Sequence, residues 1–224
     1  MRRPRFALIP LLALLVALVG PLHAGKKKKA IEFIRPNQSV ELLDAAKTFA
    51  TATRGCANDT WGAAVRTALK AQDVDLAAKD VSFRLAGGDA CLPALPEFDV
   101  LRKSVENDYS LGDSRHVRVR LELAVGPPTA ADPLAAELQQ RRTLIFIYKG
   151  RSLLLSGVTY DEHLINNLHK ELWITELRLV DPAAAIGSEA RTVTFKREDP
   201  RVADIEGVIK VVATPIVMGQ LESR

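Results

Sequence analysis

Arg54-Gly55-Cys56-Ala57-Asn58-Asp59-Thr60-Trp61-Gly62-Ala63-Ala64-Val65 is the stretch on which the reading of the fold turns. Asn58 or Asp59 offers a side-chain oxygen to cap a helix. Trp61, Ala64, Val65, Ala68 and Leu69 then recur at helical spacing along one face. The pattern predicts a helix over 59–71 with a single buried stripe.

Working outward, Val40, Leu43, Ala46, Phe49 and Ala50 follow the breaker Pro36 and predict a helix over 37–53. On the other side, Val81, Phe83 and Leu85 alternate before Gly87-Gly88, which predicts a short strand and turn. Phe98, Leu101 and Val105 mark a third helix over 97–108. The character then changes. Val117, Val119, Leu121, Leu123 and Val125 alternate with His116, Arg118, Arg120 and Glu122, as in an antiparallel strand with one wet face. A short helix fits 133–140, and the strands 143–148 and 153–158 flank the turn Lys149-Gly150-Arg151. Ile165, Leu168 and Leu172 predict a helix over 161–171, and further strands fit 173–180, 191–197 and 207–213. The layout is α+β: a helical part over 37–113, an antiparallel β part over 114–217, and a C-terminal tail over 218–224.

Residues 1–24 read as a cleavable signal peptide. Arg2, Arg3 and Arg5 precede an apolar run from Phe6 to Val19, and Leu22-His23-Ala24 provides a small-residue exit. The expected location is therefore the periplasm or the extracellular medium. The 224-residue chain carries 31 basic and 27 acidic residues. Three of the basic ones are signal arginines and four more form the cluster Lys26–Lys29, so the body that remains is slightly acidic. Such a body lacks the electrostatic footprint of a nucleic-acid binder. The segment 25–36 reads as a basic flexible tail, and membrane contact is expected at most through Lys26–Lys29. Cys56 and Cys91 are the two cysteines of the chain. In an oxidising compartment, an isolated pair forms a disulfide.

Two further blocks accompany the first. One runs Lys149-Gly150-Arg151-Ser152-Leu153-Leu154-Leu155-Ser156-Gly157-Val158-Thr159-Tyr160-Asp161, and the other is Leu179-Val180-Asp181-Pro182. Together the three resemble the motifs of the papain-like cysteine peptidases, over about residues 39–197. In that family the first block carries a glutamine, a glycine, a disulfide-forming cysteine, the nucleophilic cysteine and a tryptophan. Gly55, Cys56 and Trp61 match in register, whereas Thr60 stands at the nucleophile position and Arg54 at the oxyanion-donor position. Ser152 occupies the place of the histidine base, and Asp181 that of the orienting residue. The resemblance implies a papain-like fold with a degenerate site. A threonine hydroxyl is a far weaker acid than a thiol, and a serine cannot serve as its base near neutral pH. No catalytic residue is left intact.

Nothing else in the chain supplies a reaction centre. His163 and His169 are six apart and would diverge on a helix, and Asp199, Asp204 and Glu206 lack the spacing of a calcium loop. No metal or cofactor is expected. The reading is an exported pseudo-peptidase that binds a peptide or protein partner through the degenerate cleft. The alternatives are a cysteine- or serine-type hydrolase with a rearranged site, in which Cys91 or Thr60 attacks, and a purely structural envelope protein.

Overall fold

The computed structural model describes residues 32–112, 114–165 and 169–217. The signal segment 1–24, the Lys26–Lys29 cluster and the tail 218–224 lie outside the described residues. The elements run β1 (Glu32–Glu41), α1 (Ala45–Thr48), α2 (Ala57–Lys70), α3 (Ala78–Ala86), α4 (Phe98–Val105), β2 (Asn107–Ser110), β3 (His116–Val125), α5 (Asp132–Gln139), β4 (Ile145–Tyr148), β5 (Arg151–Ile165), β6 (His169–Val180), β7 (Thr192–Lys196) and β8 (Ile205–Pro215). The strands form one antiparallel sheet in the order β2-β3-β8-β4-β5-β6-β7. β1 joins it by pairing with the far half of β5, from Gly157 to Ile165. Helices plus a large antiparallel sheet make an α+β chain, as the residue pattern predicts.

Alternation along the strands gives the sheet two apolar faces. On one, Trp61, Val65 and Leu69 of α2 pack with Leu101 of α4 against Ile145, Leu154, Val180 and Ile209. On the other, Leu134 and Leu138 of α5 pack against Phe146, Leu153, Leu155, Leu179 and Phe195. Both faces are covered, so β4 and the start of β5 read as continuous apolar runs.

Three local expectations fail. The predicted helix over 37–53 gives way to strand β1 and the four-residue α1. Pro36 is tolerated because β1 is an edge strand, and the register shifts between Arg35 and Gln38, where Asn37 has a φ of 56°. The residues 32–36 thus belong to the sheet rather than to a flexible tail. The predicted strand at Val81–Leu85 is helix α3: Val81 and Leu85 share a buried face four residues apart, and Phe83 is exposed. Three apolar residues at alternate positions fit a helix as well as a strand, and only the packing against α2 decides. Of the predicted helix over 161–171, residues 161–165 are instead the far end of β5 and 169–171 the start of β6, paired from Asp161–Trp173 to Ile165–His169, while 166–168 lie outside the described residues. The two paired strands satisfy one another's backbone groups, which a helix there would not do.

Candidate functional site

Gly55 sits at a φ of 69°, which turns the chain into α2, and Cys56 is the residue that precedes the helix. The cap is therefore Cys56 rather than Asn58 or Asp59. Asn58 is already helical. Its side chain donates to the Ala90 carbonyl at 3.0 Å and accepts from the Leu92 amide at 3.2 Å. The Ala57 amide bonds the Leu92 carbonyl at 3.1 Å. Cys56 and Cys91 are disulfide-bonded, with their Cα atoms 5.4 Å apart. Covalent and polar ties thus fasten the start of α2 to the loop after α3. The small residues of the first block have a packing reason. A Cβ on Gly62 would lie 2.4 Å from the Ala78 carbonyl oxygen and from Ser82 Oγ, so α2 and α3 approach backbone to backbone.

The four positions that the resemblance marks fall into different environments. Arg54 is on the surface, where its guanidinium donates to the Asp89 carbonyl and carboxylate at 2.5 and 3.0 Å. Its own amide donates to Asp59 Oδ2. Thr60 is buried, and its hydroxyl donates to the Ala57 carbonyl at 2.8 Å within the helix. Ser152 is fully buried on β5, and its hydroxyl has no hydrogen-bond partner among the described residues. It pairs with Ile147 and alternates with Leu154, which places it on the sheet face that carries α2. Asp181 ends β6, where its carboxylate is held by Arg151 and by the Ala183 amide. No hydrogen bond joins Thr60, Ser152 and Asp181. Arg54 lines a groove of about 460 Å³ with Asp59, Lys79, Phe83 and Asp89, whereas Asp181 and Arg151 line a separate one.

Trp61 is fully buried and donates to Ser104 Oγ at 3.3 Å, so it serves the core. The residue that the sequence leaves unmarked is Arg191. It is 1% exposed, and its guanidinium donates to the carbonyls of Ala46, Phe49, Ala50, Asp181 and Ala184. Burial pushes its pKa down, while the nearby Asp181 opposes that shift. A single side chain thereby ties the α1 segment to the loop after β6. No sequence signal separates it from the other arginines, because its partners are carbonyls far away along the chain.

The remaining candidates have structural partners. His116 Nδ1 lies 3.0 Å from Ser110 Oγ, His169 pairs with Glu171, and His163 is buried against the ring of Trp173. His163 and His169 sit on paired strands, not on a helix. Asp199 accepts from Arg201, Asp204 pairs with Lys149, and Glu206 accepts from the Gly150 amide. Among the described residues, no three His, Cys, Asp or Glu side chains are grouped so as to hold a metal ion. Likewise, no helix of the described residues is long and apolar enough to cross a membrane. Compared with family models, curated proteins and solved structures, the chain matches none.

Proposed function

We propose that this chain is an exported, non-catalytic papain-like module that binds a peptide or protein partner at the groove beside the start of α2. The observation that carries the reading is the closure of every candidate nucleophile. The Thr60 hydroxyl is engaged by its own helix, and Cys91 is bonded to Cys56. A buried Ser152 offers no base, and a bonded sulfur cannot attack a carbonyl. The papain-like assignment draws support from the order of the three blocks and from Ser152 lying on the sheet face that α2 covers. The disulfide and the signal-like N-terminus support export. For binding, the groove sets the exposed ring of Phe83 beside Lys79 and Asp80, neither of which has an ion-pair partner among the described residues. An apolar anchor flanked by both charge signs suits a polypeptide.

The test has two arms. Wild-type protein should turn over no peptide substrate and take no label from thiol-directed peptidase probes. A combined Thr60→Cys and Ser152→His change would recreate a thiolate–imidazole pair, and labelling at residue 60 would support the family assignment. Wild-type turnover abolished by Thr60→Ala would sink the non-catalytic reading. In the second arm, a random peptide library is selected on immobilised protein. Phe83→Ala should cost the selected peptides about tenfold or more in affinity, as expected of an interface anchor. Peptides that bind Phe83→Ala and wild type equally would remove the groove from the proposal.

A further inference from the structure

A second concavity, on the sheet face that carries α5, has a different character. It encloses about 360 Å³, with Ile174, Leu177, Phe195 and Val202 among its lining residues and Trp173, Lys196 and Arg197 beside them. Trp173 is 38% exposed, yet its ring is fixed from several sides. The His163 ring stacks on it with centroids 4.0 Å apart, and the Arg197 guanidinium lies 5.1 Å from its centroid. Its indole N–H donates to Glu171 Oε2 at 2.9 Å. That bond and the one from His169 hold the Glu171 carboxyl below the usual carboxylate range. An exposed indole held by three partners has already lost the rotamer freedom that binding would otherwise remove.

The charges at the rim are uneven. Glu171 is engaged by Trp173 and His169. Lys196 and Arg197 have no carboxylate partner among the described residues, although other arginines of this region do: Arg201 pairs with Asp199 and Arg151 with Asp181. The partly exposed Ile174 and Val202, a rigid aromatic wall and two cations with no ion-pair partner among the described residues favour a ligand that is apolar over most of its length and anionic at one end.

We propose that this groove is a binding site for a small amphipathic carboxylate, its apolar body against Ile174 and Val202 and its carboxylate at Lys196 and Arg197. The site is independent of the groove at α2 and does not rest on the papain-like reading.

The two tryptophans make the test direct, because Trp61 is fully buried and Trp173 is exposed. The full chain is titrated with decanoate below its micelle concentration, and tryptophan emission and acrylamide quenching are followed. Decanoate should produce a saturable blue shift and shield one tryptophan from acrylamide. Decanol, with the same chain and no charge, should bind about tenfold more weakly, the worth of one charge-assisted contact. The combined Lys196→Gln and Arg197→Gln change should erase that preference, while Val202→Trp should fill the groove and abolish binding of both probes by calorimetry. Absence of a saturable response to decanoate overturns the proposal. Equal affinity for decanoate and decanol in wild type overturns the carboxylate assignment, and an undiminished preference in the double variant removes Lys196 and Arg197 from it.

Discussion

At the scale of single residues, Arg191 and Ser152 are buried polar groups with opposite hydrogen-bond outcomes. Arg191 satisfies five backbone carbonyls drawn from two segments that are distant in sequence. Arg191→Leu would strip all five carbonyls of their guanidinium donor, leaving only the Asp181 carbonyl with a second donor among the described residues, the Ala184 amide. A buried group left unsatisfied costs about 1–3 kcal/mol. Urea unfolding should therefore show a loss of at least ~3 kcal/mol, since not all five acceptors can find water. Ser152 presents the opposite case. Its hydroxyl is buried without a partner, so Ser152→Ala should leave stability unchanged or raise it by up to ~1 kcal/mol. A measured loss would mean that the hydroxyl finds a partner in solution. Neither behaviour was legible in the sequence. A serine inside an apolar strand and an arginine before one look ordinary until the fold brings their neighbours together. Cys56 and Cys91, by contrast, were legible because two isolated cysteines in a chain that reads as exported have only one another as partners.

Among the elements, those with long or redundant patterns were readable and those with short ones were not. The stripe Trp61, Ala64, Val65, Ala68 and Leu69 spans more than two turns and does form the buried face of α2. The alternation through β3 holds from Val117 to Leu123, whereas Val125 at the strand end is exposed. Val81, Phe83 and Leu85 offer too few positions to separate a period of 2.0 from one of 3.6, and β1 and β2 carry little apolar signal of their own. The elements around the candidate site also predict how its parts depend on one another. The disulfide closes a span of 35 residues that includes all of α2 and α3. Its loss through the paired change Cys56→Ala and Cys91→Ala should lower stability by roughly 3–4 kcal/mol in the chain-entropy model. Because the Asn58 contacts with Ala90 and Leu92 survive that change, hydrogen exchange should quicken first in the loop after α3, ahead of the sheet. Simultaneous loosening of β3 and β8 would show instead that the staple supports the whole domain.

For the whole molecule, the export reading predicts that protein recovered from the envelope begins at Gly25. Intact mass checks this, and a species that retains Met1–Ala24 would count against cleavage. The order of hydrophobic patterns was enough to determine an α+β chain with a large antiparallel sheet, because alternation and helical periodicity are local properties of the residues that show them. The same holds for the chemistry of Arg54, Thr60 and Ser152: with neither a thiol nor an imidazole, these positions cannot form a thiolate–imidazole pair wherever the side chains lie. Only the tertiary structure decided that Thr60 and Ser152 are buried with no hydrogen bond between them, that Arg54 is engaged by Asp89, and that Trp173 is held open beside two cations without an ion-pair partner among the described residues. Burial, ion pairing and groove shape depend on which distant segments are brought side by side. The long pairing of β1 and β6 with β5 and the backbone-close crossing of α2 and α3 create those neighbourhoods, and no local stretch of the chain encodes them.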